Sequence, residues 1–226
     1  TQAGRLARLP ALDGLRGIGL PMVMLYHHGL ALFGWIFHGS ILCVSMFFTL
    51  SGFLITRLLV QEHAEHDRIS LRRFYARRLR RLMPAALTVA LLIALIWTVY
   101  PSGNRGLDFP SFFWAIFYGT NLMLLFRGSS YQNLFAEQSP LQHTWSLSLE
   151  EQIYIVFPLV LIGILSFTRL RRSAAGVLMA LAAASFASAW MWAEFVGDSR
   201  PYYATEARAG EFLVGAAVAV FWARSP

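Results

Sequence analysis

SILCVSMFFTLSGFLITRLLV, running from Ser40 to Val60, carries a single charge, Arg57, in twenty-one residues. A helix of that length rises about 30 Å, the thickness of a bilayer's hydrocarbon core. Five more apolar runs of comparable length lie to either side: Ile18 to Phe37, Pro84 to Tyr100, Thr144 to Phe167, Ala174 to Val196 and Ala207 to Trp222. Composition agrees with them. Residues are 57% hydrophobic and 14% charged, against about 25% charged in an average soluble domain, and mean hydropathy is +0.52. The expected fold is all-α, a polytopic transmembrane helical bundle of about six spans.

One stretch, Ser111 to Arg127, is shorter and contains the polar sequence Tyr118-Gly119-Thr120-Asn121. If it crossed the membrane fully, Arg169, Arg171 and Arg172 would lie outside the cell, against the usual cytoplasmic bias of arginine. If it re-enters, or lies along the outer interface, those three join Arg5, Arg8, Arg16, Arg57, the Arg68 to Arg81 cluster and Arg224 inside. Arg105, Arg127 and Arg200 then stay in outer loops, with Arg208 near the outer end of the last span. The second topology is simpler, and it adds one re-entrant or interfacial segment to the bundle. Irregular backbone at membrane depth survives only under cover of protein or beside water, so a polar cavity is expected with it.

The net charge of +7 comes from nineteen Arg and no Lys against twelve acids. Positive-inside placement accounts for most of it, and no nucleic-acid recognition module accompanies the charge, so nucleic acid is not an expected partner. The lone Cys43 lies in an apolar run and reads as a small hydrophobe. The run Glu62-His63-Ala64-Glu65-His66-Asp67 lacks the H-E-x-x-H order of a zinc helix, and no metal is expected. There is no Gly-rich phosphate loop and no G-x-S-x-G elbow to support a hydrolase.

Four constellations carry chemistry. In LDGLRGIGLPMVMLYHHG, Leu12 to Gly29, Arg16 and His27 are an ionisable pair on an apolar span. Eleven positions return a helix to within roughly 20° of its starting direction and climb about 16 Å, so both side chains share one face. A neutral imidazole there can take a proton from a hydroxyl; a histidine bonded between helices is the competing reading. The basic loop LRRFYARRLRRLMP contains Arg77, Arg78 and Arg81, with Arg77 and Arg81 on one helical face, and guanidinium forks bind phosphate of a nucleotide or of lipid headgroups. HTWSLSLEEQIYIVFP, His143 to Pro158, gathers Ser146, Ser148, Glu150, Glu151 and Gln152 at the mouth of a span, where they can bind a polyhydroxylated acceptor; Ser148 with Glu151 also fits a helix capping box. Arg208 and Glu211, three residues apart in the last span, either pair with each other or bind substrate.

In order along the chain, LDGLRG with its R-x10-H pair, MFFTLSGFLIT from Met46 to Thr56, FYARRLRRLMP from Phe74 to Pro84, HTWSLSLEEQIYIVFP and EARAGEFLVGAAVA from Glu206 to Ala219 resemble the acyltransferase-3 family of membrane-bound O-acyltransferases, the OafA/YrhL type. The resemblance implies a multi-pass enzyme of the bacterial inner membrane. It would move an acyl group, commonly acetyl, from acyl-coenzyme A at the cytoplasmic face to a hydroxyl of a glycan or glycolipid. Arg16 and His27 become the motif Arg and His, with His27 the general base or an acylated intermediate. Arg77, Arg78 and Arg81 fall on the family's R-R-x-x-R element and face the donor. Ser146, Glu150 and Glu151 fall on its W-S-L-x-x-E-E-Q element, and Arg208 and Glu211 on its R-x-x-E element, where they line the acceptor side. Family domains carry more spans, so residues 1–226 are expected to form an acyltransferase-3-like transmembrane domain incomplete at its C-terminus, completed by later helices or a partner subunit. Membrane lipids are the remaining expected partners. A non-catalytic transporter or flippase, or a structural subunit of a membrane assembly, is the alternative function.

Overall fold

The computed structural model describes residues 9–27, 40–99, 109–127, 141–142, 144–167, 171–197 and 199–223. Among them secondary structure is entirely helical: α1 Pro10–His27, α2 Ser40–His66, α3 Leu71–Val99, α4 Phe109–Ile116, α5 Thr120–Phe126, α6 Thr144–Ser166, α7 Ala174–Phe195, α8 Ser199–Tyr203 and α9 Thr205–Trp222. Four helical segments are long and apolar enough to cross a membrane, Leu42–His66, Leu71–Ile96, Thr144–Ser166 and Ala174–Phe195, and the chain is a multi-pass membrane protein. The other two expected spans fall on α1, with Asp13 and Arg16, and on α9, with Glu206, Arg208 and Glu211. Neither is among those four, and residues 28–37 of the first expected span lie outside the described residues.

The basic segment expected as a loop is helical. Leu, Ala and Arg are strong helix formers, and α3 runs unbroken from Leu71 through the arginines and Pro84 to Val99. Pro84 has no N–H to return to the carbonyl four residues back, yet the helix continues, and Thr88 Oγ1 donates to the Pro84 carbonyl at 2.8 Å. Past the arginines α3 presents Leu87, Leu91, Leu92, Leu95 and Ile96 at its surface. In water such a stripe would be costly; against lipid tails it is the expected surface.

Ser111 to Arg127 folds as α4 and α5, eight and seven residues long. A span needs about 20 residues, so neither crosses alone. The break falls at Tyr118, whose φ of 54° is in the left-handed region. Gly119 follows because the Trp114 ring covers it: a Cβ there would stand 2.3 Å from Trp114 Cε3.

The helices group into two compact units, one of Thr1–Asp67, Arg172–Ala182 and Glu211–Pro226, the other of Arg68–Arg171 and Ala183–Gly210. In the first, α1 packs on α2, and the C-terminal part of α9 meets α2 through glycines. A Cβ on Gly52 would lie 1.9 Å from the Phe212 carbonyl oxygen, and one on Gly215 1.9 Å from that of Thr49. Small residues that let backbones touch replace the hydrophobic drive that lipid cannot supply. In the second unit α4, α5, α6 and α8 pack on one another around Leu149, Ile153, Phe157 and Tyr203.

Candidate functional site

In the first unit, polar side chains lie between apolar helices. Arg16 is half-buried on α1 and donates from Nη2 to Ser51 Oγ of α2 at 3.4 Å. Ser45, on the same helix α2, donates to Glu211 Oε1 of α9 at 2.9 Å. Thr49 Oγ1 donates to the Ser45 carbonyl at 3.0 Å, returning to its own helix as membrane hydroxyls commonly do. Thr56, one further turn along from Ser51 and Gly52, is fully buried and its Oγ1 has no hydrogen-bond partner among the described residues. His27 closes α1, on one continuous helix with Arg16 as the spacing requires; its side chain, like His28 and His143, lies outside the described residues. Pro21 falls between the pair and leaves the Gly17 carbonyl without its usual helical donor.

The second unit holds the arginine element. Arg78 turns inward: Nη2 meets Glu151 Oε1 at 2.9 Å, and the guanidinium lies 3.4 Å from the Tyr154 ring centroid. Tyr154 in turn donates to Glu150. Arg77 and Arg81 are exposed. The three arginines therefore divide, one into the helix interface and two at the surface, which follows from the 100° turn between successive residues. Glu151, expected at the acceptor side, is Arg78's partner, and Ser146 is half-buried on α6. Arg208 sits with its guanidinium 5.6 Å from the Tyr202 ring, while Glu211 takes the Ser45 bond in the other unit.

Capping by Ser148 and Glu151 is overturned. Helix α6 begins at Thr144, one turn before Ser148. Ser148 Oγ instead donates to the Thr144 carbonyl at 2.8 Å and accepts from Thr120 N at 3.2 Å, tying the first turn of α5 to α6. Thr120 and Thr144 hydroxyls meet at 2.7 Å beside it.

A network that spacing did not reveal surrounds Gln152. Its Nε2 donates to the Tyr118 carbonyl at 3.0 Å and to Asn121 Oδ1 at 2.8 Å, and its Oε1 accepts from Thr205 Oγ1 at 2.5 Å. Asn121 Nδ2 donates to the Tyr203 carbonyl at 3.1 Å. Four segments thus satisfy one another's polar groups, and a buried amide needs that. At the break the protein itself takes up exposed backbone, the Tyr118 carbonyl accepting from Gln152 Nε2. What lies beside the break is an apolar cavity of about 190 Å³ between α3, α4 and α6, with Tyr118 in its wall. Burial pushes the Tyr118 phenol above its ordinary range; Glu151 adds to the rise and Arg78 opposes it.

The family described as "Acyltransferase domain" matches residues 9–226. YrhL of Bacillus subtilis (strain 168) is 35% identical over 220 residues, covering 95% of this chain and 33% of its own length. The peptidoglycan O-acetyltransferase OatA of Listeria monocytogenes (serovar 1/2a, strain EGD-e) is 33% identical over 222 residues, covering 95% of this chain and 34% of its own. The chain spans about a third of the length of these curated relatives. No solved structure matches.

Proposed function

The chain belongs to the acyltransferase domain family, and from that premise we propose that it transfers an acetyl group from acetyl-coenzyme A to a hydroxyl of a cell-wall glycan at a bacterial inner membrane. The similarity to OatA, a peptidoglycan O-acetyltransferase, supports a peptidoglycan acceptor. The observation that carries the proposal is the polar line inside the first unit, where Ser51 holds Arg16 on the helix that ends at His27 and Ser45 holds Glu211. Ionisable groups kept among apolar helices are costly and mark chemistry.

His27 acts as general base. It takes the acceptor hydroxyl's proton as that oxygen forms a bond to the thioester carbonyl carbon. The carbonyl oxygen gains the displaced electron pair, for which Arg16, a nearby serine or a backbone N–H is the candidate donor. As the oxyanion collapses the carbon–sulfur bond breaks, and the imidazolium returns its proton to the departing thiolate. Glu211, held by Ser45, accepts a hydrogen bond from the incoming sugar. Arg77 and Arg81, on one exposed face of α3, bind the donor's phosphates in the cytoplasm, with Arg78 fixing that helix on Glu151.

The test is acetyl-CoA turnover by the protein in lipid nanodiscs with peptidoglycan fragments, wild type beside His27→Ala. Glycan acetylation that disappears in the variant, while acetyl-CoA binding persists, is the expected result. Equal acetylation by both proteins removes His27 from the mechanism.

A further inference from the structure

The apolar cavity of the second unit belongs to none of this chemistry. Its α3 wall is Leu82, Ala85, Ala86, Val89 and Ala90. Those positions are one stripe of a helix, spaced i, i+3, i+4, i+7 and i+8, and they extend about 12 Å along it. Alanines at 85, 86 and 90, and Ala115 on α4, leave the space open. Ala85 and Val89 are themselves exposed, so the slot is open along the side of α3 that continues into the exposed leucines.

The same stripe continues toward the N-terminus of α3 into charge. Arg81 and Arg78 lie one turn before Ala85 and Leu82, and Arg81 is exposed. Arg78 is neutralised by Glu151, so the charge at that end is Arg81, and the rest of the slot is apolar. We infer that it is a binding site for one acyl chain of an anionic glycerophospholipid from the surrounding bilayer, with the headgroup phosphate on Arg81. That order of charge and hydrocarbon is the order of groups along such a lipid. A zwitterionic lipid keeps the chain but loses the net attraction to Arg81. Arg81 is also one of the two arginines proposed to bind the donor's phosphates, so headgroup and donor compete for it, and lipid retention is therefore read without acyl-CoA.

The experiment uses the full chain in nanodiscs of mixed phosphatidylglycerol and phosphatidylcholine, without acyl-CoA, followed by native mass spectrometry of the released protein. We expect one phosphatidylglycerol retained per chain, favoured over phosphatidylcholine by about tenfold, equivalent to about 1.4 kcal/mol. Ala86→Phe, which fills the slot from α3, and Ala115→Leu, which fills it from α4, should each lower retention at least as much. Equal retention of the two lipids by the wild type overturns the site, and so does undiminished phosphatidylglycerol on either filled variant. Displacement of the bound lipid by palmitoyl-CoA but not by excess phosphatidylglycerol would assign the slot to the donor instead. The wild-type comparison needs no variant to fold.

Discussion

Arg78 of α3 and Glu151 of α6, seventy-three positions apart, meet at 2.9 Å with side chains only 21% and 13% exposed. The guanidinium is also stacked on Tyr154. Removing one member leaves the other charged and largely out of water, the costly way to break a pair. Glu151→Ala should destabilise the folded protein by about 3 kcal/mol, the low end for buried pairs because some solvent reaches both groups. Arg78→Lys should lose part of the same stability, since a lysine keeps the charge but neither the planar fork nor the full ring contact. Unfolding midpoints in one detergent check both, and a wild-type midpoint in Glu151→Ala would show the pair to be solvated.

Gln152→Leu should be as damaging. It strands the Tyr118 carbonyl, Asn121 and Thr205 at once, and each buried polar group left unmade costs about 1 to 3 kcal/mol. Asn121→Leu on the same background should cost less than it does alone, because the partner is already gone. A double-mutant cycle with no coupling between 121 and 152 would contradict the network.

Much of the fold was legible in the sequence, and the limits are physical. Runs of apolar length placed α6 and α7 to within a residue at their ends, since lipid demands a fixed helix length. The polar Tyr118-Gly119-Thr120-Asn121 step marked the break between α4 and α5. The arginine run, expected as a loop with Arg77 and Arg81 on one helical face, is helical throughout, since Arg is a good helix former and α3 passes through it. Which of Arg77 and Arg78 turns inward depends on where Glu151 sits across the unit, and a single strand of letters does not hold that. The Gln152 network joins residues up to 84 positions apart, and Thr205 gave no signal at all. In contrast, that Arg16 and His27 share one helix was legible from the sequence, since both sit on α1.

Gly52 and Gly215 should tolerate no side chain. An alanine Cβ at either would lie 1.9 Å from a backbone oxygen of the facing helix, and backbone cannot yield as a flexible side chain can. Gly52→Ala should force α2 and α9 apart and abolish the folded species by size-exclusion profile. Gly163→Ala on α6 is the control: nothing lies within 4 Å of its Cβ, so it should be neutral or raise stability by about 0.5 to 1 kcal/mol. Loss of fold in both variants would mean that backbone freedom, rather than close approach, is what the glycines supply.

Ser45 and Ser51 separate positioning from chemistry in the proposed reaction. Both serines sit on α2, one holding Glu211 at 2.9 Å and the other Arg16 at 3.4 Å. Ser51→Ala removes the tether of Arg16, so transfer should fall by about tenfold or less, the cost of one ordinary hydrogen bond, with no change in the pH profile. His27→Ala removes the base itself, and general-base loss is about 10² to 10⁴ in rate. Glu211→Gln keeps the Ser45 hydroxyl bonded through an amide oxygen but removes the charge, so it should weaken acceptor binding more than the chemical step, appearing in KM for the glycan before kcat. Initial rates against glycan concentration at saturating acetyl-CoA resolve the three patterns. Were Glu211→Gln to lower kcat as far as His27→Ala with KM unchanged, the carboxylate would belong to the proton-transfer step, and the assignment of His27 as sole base would fail.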